Sequence, residues 1–181
     1  MDEPFLILGH RRGATNFAAS LMEQFGYEVG HEEWLKDGMV TSMSMRGHVR
    51  FPPCRLIHLT RHPLHTVSSL VARDPDLSHY HWENTRAVFG WGGGGLHERA
   101  ARSYISWHKL ILAMMPDVRV QAETMKKDMT EELGTEPGSS PPIRYNRLDH
   151  RQHTREELAD LINASTADEL WDLSAQLGYE P

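Results

Sequence analysis

A chain of 181 residues with a formal net charge of −6, 39% hydrophobic and 24% charged, has the length and apolar content of one globular domain with a sizeable core. Its acidity argues against broad attraction to nucleic acid or anionic membrane, no apolar run approaches the roughly 20 residues of a bilayer span, and the single Cys54 excludes an internal disulfide. Met1-Asp-Glu-Pro leads directly into an apolar run, so no secretory signal or transit peptide is expected and the expected location is cytoplasmic.

Phe5-Leu-Ile-Leu8 suits a strand buried on both faces, and Gly9-His-Arg-Arg-Gly-Ala-Thr-Asn16 follows as a turn into a helix. Ala18, Leu21, Met22 and Phe25 recur at helical spacing, and Gly26 stands where a C-terminal cap belongs. A strand, a glycine-bearing turn and a helix N-terminus together let backbone N–H groups converge on an anion. A nucleoside-triphosphatase cradle would place a Lys-Ser or Lys-Thr pair after its last glycine. Here Ala14 and Thr15 follow Gly13, and the cations precede it as Arg11 and Arg12. An ordinary strand-to-helix turn with surface arginines fits the same residues.

Tyr27-Glu-Val-Gly-His31 is predicted to add a second parallel strand that ends in Gly30-His31-Glu32-Glu33. Arg55–Thr60, after the Pro52-Pro53 break, is predicted as the third, leading into a helix from Pro63 with Thr66, Val67, Leu70 and Val71 on its apolar side. A triphosphatase commonly ends a core strand in aspartate to hold magnesium. This strand ends in Thr60-Arg61, and a guanidinium repels a metal and attracts a further phosphate. The pattern suits a nucleotide with phosphate at two separate places. Ser69 lies about two turns into the following helix, within reach of the same anion.

Residues 73–95 carry no persistent period and read as a lid, in which Trp82, Phe89 and Trp91 would line an acceptor pocket. His79, His81 and His97 invite a metal, but the His79-x-His81 pair stands in an irregular loop without an obvious third ligand, so no metal site is expected. A long helix is predicted from Leu96 to Met115, with Ala101, Tyr104, Ile105, His108, Ile111, Leu112 and Met115 on one face. A strand at Val118–Ala122, a short helix at Met125–Leu133 and a mobile, breaker-rich connection at 134–142 come next. Capping boxes at Thr154/Glu157 and Thr166/Glu169 open two final helices, with Leu158, Leu161, Ile162, Leu170, Leu173 and Leu177 facing inward. This alternation predicts a single α/β domain over 1–181, a three-layer sandwich with a mainly parallel central sheet and its ligand beyond the carboxyl ends of the strands.

Gly9-His-Arg-Arg-Gly-Ala-Thr15 resembles the 5′-phosphosulfate loop of the sulfotransferase family, and Arg61-His-Pro-Leu-His-Thr-Val-Ser-Ser69 resembles its 3′-phosphate motif. Gly30-His31-Glu32 is similar to a segment of bacterial members; the Trp107 helix, the Val118–Glu123 strand and the final Leu-Gly-Tyr179 are family-like as well. The resemblance implies a P-loop-like fold and metal-independent transfer of a sulfuryl group from 3′-phosphoadenosine 5′-phosphosulfate to a hydroxyl or amine of a small molecule or glycan, releasing 3′,5′-adenosine bisphosphate. It implies that Arg11 binds the 5′-phosphate and neutralises the leaving oxygen. Arg12, Gly13, Ala14, Thr15 and Asn16 complete that site, and Arg61 with Ser69 holds the 3′-phosphate. The base is implied to be Glu32 or His31, Glu32 first, because a carboxylate partly out of water suits proton abstraction. Arg12, Ala14 and Asn16 depart from common family residues, and the late Arg-Lys-Gly motif of animal cytosolic members is absent, leaving Arg147 or Arg151 to stand in. A P-loop nucleotide or small-molecule kinase, and a non-catalytic nucleotide-binding protein of the same fold, are the alternative readings.

Overall fold

Phe-Leu-Ile-Leu-Gly has no polar face, and the strand it forms, β1 (Phe5–Gly9), is buried along its whole length. The computed structural model describes residues 3–42, 51–73, 93–139 and 151–180. After β1 come α1 (Thr15–Gln24), β2 (Val29–His31), β3 (Gly38–Thr41), β4 (Arg55–Thr60), α2 (Pro63–Arg73), α3 (Leu96–Ala113), β5 (Val118–Gln121), α4 (Met125–Leu133), α5 (Arg155–Leu161) and α6 (Ala164–Gln176). The chain divides into two units, residues 1–61 with 111–147 and residues 62–110 with 148–181. Most of the expected lid at 73–95, with Trp82, Phe89 and Trp91, lies outside the described residues, as do 140–142 of the expected connection.

In the first unit the strands form one sheet in the order β2-β3-β1-β4-β5. Every strand pair in it is parallel, so the chain adopts the expected α/β fold with a parallel sheet. The sheet contains a strand that sequence reasoning missed, β3, which makes Arg55–Thr60 the fourth strand and not the third. Parallel neighbours usually need a crossover of about a dozen residues or more. Because β2 is only three residues long, the chain returns in residues 32–37 and pairs Val29 with Gly38. Gly38, at φ 133°, makes this possible: a Cβ there would lie 2.0 Å from the Phe5 carbonyl oxygen. Asp37 clamps the return, its carboxylate accepting from the Glu28 N–H at 2.7 Å and its own N–H donating to the Glu28 carbonyl.

Phe5, Ile7, Ala18, Leu21, Met22, Val40, Ile57, Leu59, Val120 and Met129 form one buried apolar cluster between the sheet and its helices. His58 lies in the same sheet with no exposed surface, paired in register with Arg119 of β5. Burial, and secondarily the Arg119 charge, pushes its pKa down to about 3. The unfolded chain therefore binds a proton that the folded chain refuses between the ordinary imidazole value and about 3, and stability falls as pH drops through that window. We expect His58→Leu to flatten this acid limb by several kcal/mol between pH 7 and pH 4, measured by urea unfolding at each pH. Equal acid sensitivity of the two proteins would rule His58 out.

The described part of the second unit is helical. Among its buried polar groups is Glu98 of α3, 4% exposed. The Glu98 carboxylate accepts from the Asn163 backbone N–H at 2.8 Å, Asn163 Nδ2 at 2.5 Å, the Thr166 hydroxyl at 2.6 Å and Arg102 Nε at 2.6 Å. Desolvation alone would raise its pKa, but the bonds from Thr166, Asn163 and Arg102 outweigh it and hold the carboxyl below the usual value. Its stabilisation is thus present above the ordinary carboxylate range and is lost as pH falls through the lower folded value. Glu98→Ala would leave four donors without this acceptor, the buried Thr166 hydroxyl among them, and we expect a loss of about 3 kcal/mol or more in chemical denaturation, with Glu98→Gln losing less.

Three expectations for these helices are corrected. Asn163, not Thr166, is the N-cap of α6: its Oδ1 accepts from the Thr166 N–H at 3.0 Å, and the Thr166 hydroxyl goes to Glu98. Asn163 is extended at φ −74°, ψ 154°, the conformation a cap requires, whereas Thr166 is already helical. Leu161 is 46% exposed, because α5 is only seven residues long and presents Leu158 inward. Met115 is 84% exposed, since α3 stops at Ala113 before Pro116 and Met115 turns to φ 53°. The Thr154/Glu157 capping box forms as expected.

Candidate functional site

In an open parallel sheet, ligands bind beyond the carboxyl ends of the strands, where the strand order reverses. From β1 the chain builds β2 and β3 on one side, then β4 and β5 on the other, so β1 and β4 flank the reversal. The loop from His10 to Ala14 leaves the end of β1, and Arg61 leaves the end of β4. His31 and Thr41, at the ends of β2 and β3, leave the same edge.

The loop is strained at two positions. Arg12 and Ala14 both have positive φ, 67° and 70°, a conformation that non-glycine residues adopt mainly where surrounding structure forces it. Between them, Gly13 admits no side chain, because a Cβ would lie 2.6 Å from the His10 carbonyl oxygen, to which the Gly13 N–H donates at 2.7 Å. Helix α1 opens at Ala14 with no side-chain cap and no acidic residue in its first turn. Its first-turn amides and positive dipole end therefore receive no compensation from a cap or a carboxylate of that turn. His10 is wholly buried, and its Nδ1–H donates to the Arg11 carbonyl at 2.5 Å. Arg61 Nη1 donates to the Arg12 carbonyl at 2.9 Å, which brings the guanidinium that follows β4 to the loop that follows β1.

A second strained point lies at the end of β2. Glu32 has φ 62°, and its N–H donates to the Val40 carbonyl at 2.9 Å. The Glu32 carboxylate accepts from the Thr41 hydroxyl, and from the Ser42 backbone N–H and hydroxyl, each at 2.8 Å. His31 Nε2 lies 3.1 Å from the Thr15 hydroxyl and 3.9 Å from Glu32 Oε1. The His31-Glu32 pair is thereby linked to the first residue of α1. Thr41 ends a strand that sequence reasoning did not find and Ser42 follows it, and a threonine and a serine after two apolar residues give no motif by which to single them out.

The first unit thus contains Arg11, Arg12, Gly13, Ala14, Thr15, Asn16, His31, Glu32 and Arg61, with direct bonds joining Thr15 to His31 and Arg12 to Arg61. Ser69 is a buried residue of α2 in the second unit. Arg151, a stand-in for the missing phosphate motif, is ion-paired with Glu157; Arg147 lies outside the described residues. A pocket of about 580 Å³ in the first unit is lined by residues of 123–136, among them Lys126, Lys127 and Glu131, and by none of the candidate residues. Among the described residues no group of three or more His, Cys, Asp or Glu side chains is arranged to hold a metal, and no helix is long and apolar enough to cross a membrane.

No protein-family model and no curated protein matches the sequence. Among solved structures, mouse sulfotransferase SULT7A1 complexed with PAP is similar to it with a TM-score of 0.35 and 14% identity, over 95% of this chain. The alignment takes in 64% of that structure, so the chain spans less than two thirds of its length.

Proposed function

We propose that this chain is a sulfotransferase that moves a sulfuryl group from 3′-phosphoadenosine 5′-phosphosulfate to an acceptor hydroxyl or amine. The observation that carries the reading is the uncapped, strained start of α1, with Arg61 bonded to the loop on one side and His31 to Thr15 on the other. An anion at that helix start would satisfy the amides that the chain leaves without a cap. Gly13, Ala14, Thr15 and Asn16 hold the 5′ end with Arg11 and Arg12, and Arg61 holds the 3′-phosphate. Guanidinium groups at two separate places, Arg11 with Arg12 and Arg61, and no Lys-Ser/Thr pair favour a doubly phosphorylated nucleoside over a magnesium triphosphate.

The donor supplies an activated sulfur whose bond to the 5′-phosphate oxygen breaks as the acceptor oxygen or nitrogen bonds to it. Arg11 neutralises the charge that develops on the leaving phosphate. Of the two candidate bases, Glu32 is already engaged on both oxygens by Thr41 and Ser42. His31 therefore takes the acceptor proton, and Glu32 steadies it from the side.

Calorimetry with 3′,5′-adenosine bisphosphate, AMP and ATP, with and without magnesium, tests the reading. The bisphosphate is expected to bind most tightly and without need of magnesium. A preference for ATP with magnesium would favour the kinase reading, and equal binding of bisphosphate and AMP would end the assignment of Arg61.

A further inference from the structure

Away from the anion loop, two imidazoles from separate segments of the second unit converge. His97 is the second residue of α3, and His153 lies just before the capping box of α5. Their Nε2 atoms are 3.1 Å apart, with ring centroids at 4.8 Å and ring planes at 70°. His153 is anchored through its backbone N–H, which donates to Ser68 Oγ of α2 at 3.0 Å, and through Thr154, whose hydroxyl accepts from Glu157.

We propose that His97 and His153 form a chelating pair for a borderline divalent metal ion, of the class of Cu²⁺, Ni²⁺ and Zn²⁺. Imidazole nitrogens bind such ions at about 2.0–2.1 Å. Two donors at that distance stand roughly 2.9 Å apart for a right-angled bite and roughly 3.3 Å apart for a tetrahedral one. The observed 3.1 Å falls between the two, so an ion can enter with little movement of either ring. Glu98, the residue after His97, is not available as a third ligand because Asn163, Thr166 and Arg102 engage both its oxygens. Water completes the coordination, and the bound ion clamps the start of α3 to the segment that leads into α5.

This pair escaped sequence reasoning, which weighed His97 only with His79 and His81 and had no reason to place His153, 56 residues further on, beside it. Two ligands predict modest affinity that follows the order of imidazole preference, Cu²⁺ above Ni²⁺ and Zn²⁺ and all well above Mn²⁺, with no response to Mg²⁺. Titration of the intact protein with each chloride salt, followed by calorimetry and thermal melting, is expected to show one ion per chain and a raised melting temperature. His97→Gln and His153→Gln should each abolish both effects while leaving 3′,5′-adenosine bisphosphate binding unchanged. In the wild-type protein, Cu²⁺ should broaden the imidazole resonances of these two histidines before those of the others, a readout that does not depend on the variants folding. Absence of stoichiometric binding, binding retained in both variants, or broadening confined to other histidines would overturn the proposal and leave the pair as an N–H···N hydrogen bond.

Discussion

His31→Ala is expected to lower the rate of sulfuryl transfer by about 10²- to 10⁴-fold while the affinity for 3′,5′-adenosine bisphosphate stays within a few-fold of wild type. The expectation follows from position. His31 Nε2 faces the hydroxyl of Thr15, the first residue of α1, so its ring lies beside the helix start to which the donor's 5′ end is assigned. A base acts in the transition state and contributes little to ground-state donor binding, so turnover falls and nucleotide affinity does not. Glu32→Gln serves as the comparison. If Glu32 only steadies the histidine, the amide keeps much of its bonding to Thr41 and Ser42, and turnover falls far less than in His31→Ala. The assay is transfer of radiolabelled sulfuryl from the donor to a panel of hydroxyl and amine acceptors. A large loss in Glu32→Gln with little in His31→Ala would exchange the two roles, and unchanged turnover in both would remove the base from this segment.

The elements that could be read directly are those whose information is local. Phe5-Leu-Ile-Leu needs two buried faces wherever it sits, and Ala18, Leu21 and Met22 define an inward face without reference to any partner. The hidden elements depend on neighbours distant in sequence. Met39-Val40 is too short an apolar run to mark a strand, and β3 is set by Gly38 allowing close approach to Phe5 and by a two-point clamp between Asp37 and Glu28. The partners of Glu32 were hidden with it, because Thr41 is the last residue of that strand and Ser42 the next. Thr166 illustrates a different failure. Its spacing to Glu169 fits a capping box, but Glu98 accepts the Thr166 hydroxyl and the Asn163 N–H together, which sets the helix start at Asn163. The motif residues His10 to Ala14 were legible as a loop. That Arg12 and Ala14 would carry the strain and Gly13 the close contact was not, since both follow from the path the chain takes over His10.

Arg61→Ala is expected to weaken binding of 3′,5′-adenosine bisphosphate roughly 10- to 100-fold while AMP binding changes little, because a charge-assisted hydrogen bond contributes about 1.5–3 kcal/mol. The guanidinium has a structural bond as well, from Nη1 to the Arg12 carbonyl, so a second route by which the variant could act is through the loop. Comparing the two nucleotides separates these effects. Loosening the loop weakens whatever sits at the start of α1 and therefore costs AMP and the bisphosphate alike. Loss of a 3′-phosphate ligand costs the bisphosphate alone. Arg61→Lys refines the test, since a lysine keeps the charge but not the planar fork that can bond a backbone carbonyl and a phosphate at once, and an intermediate loss is expected. Equal losses for AMP and bisphosphate would make Arg61 a strut of the loop, and no loss for either would detach it from nucleotide binding altogether.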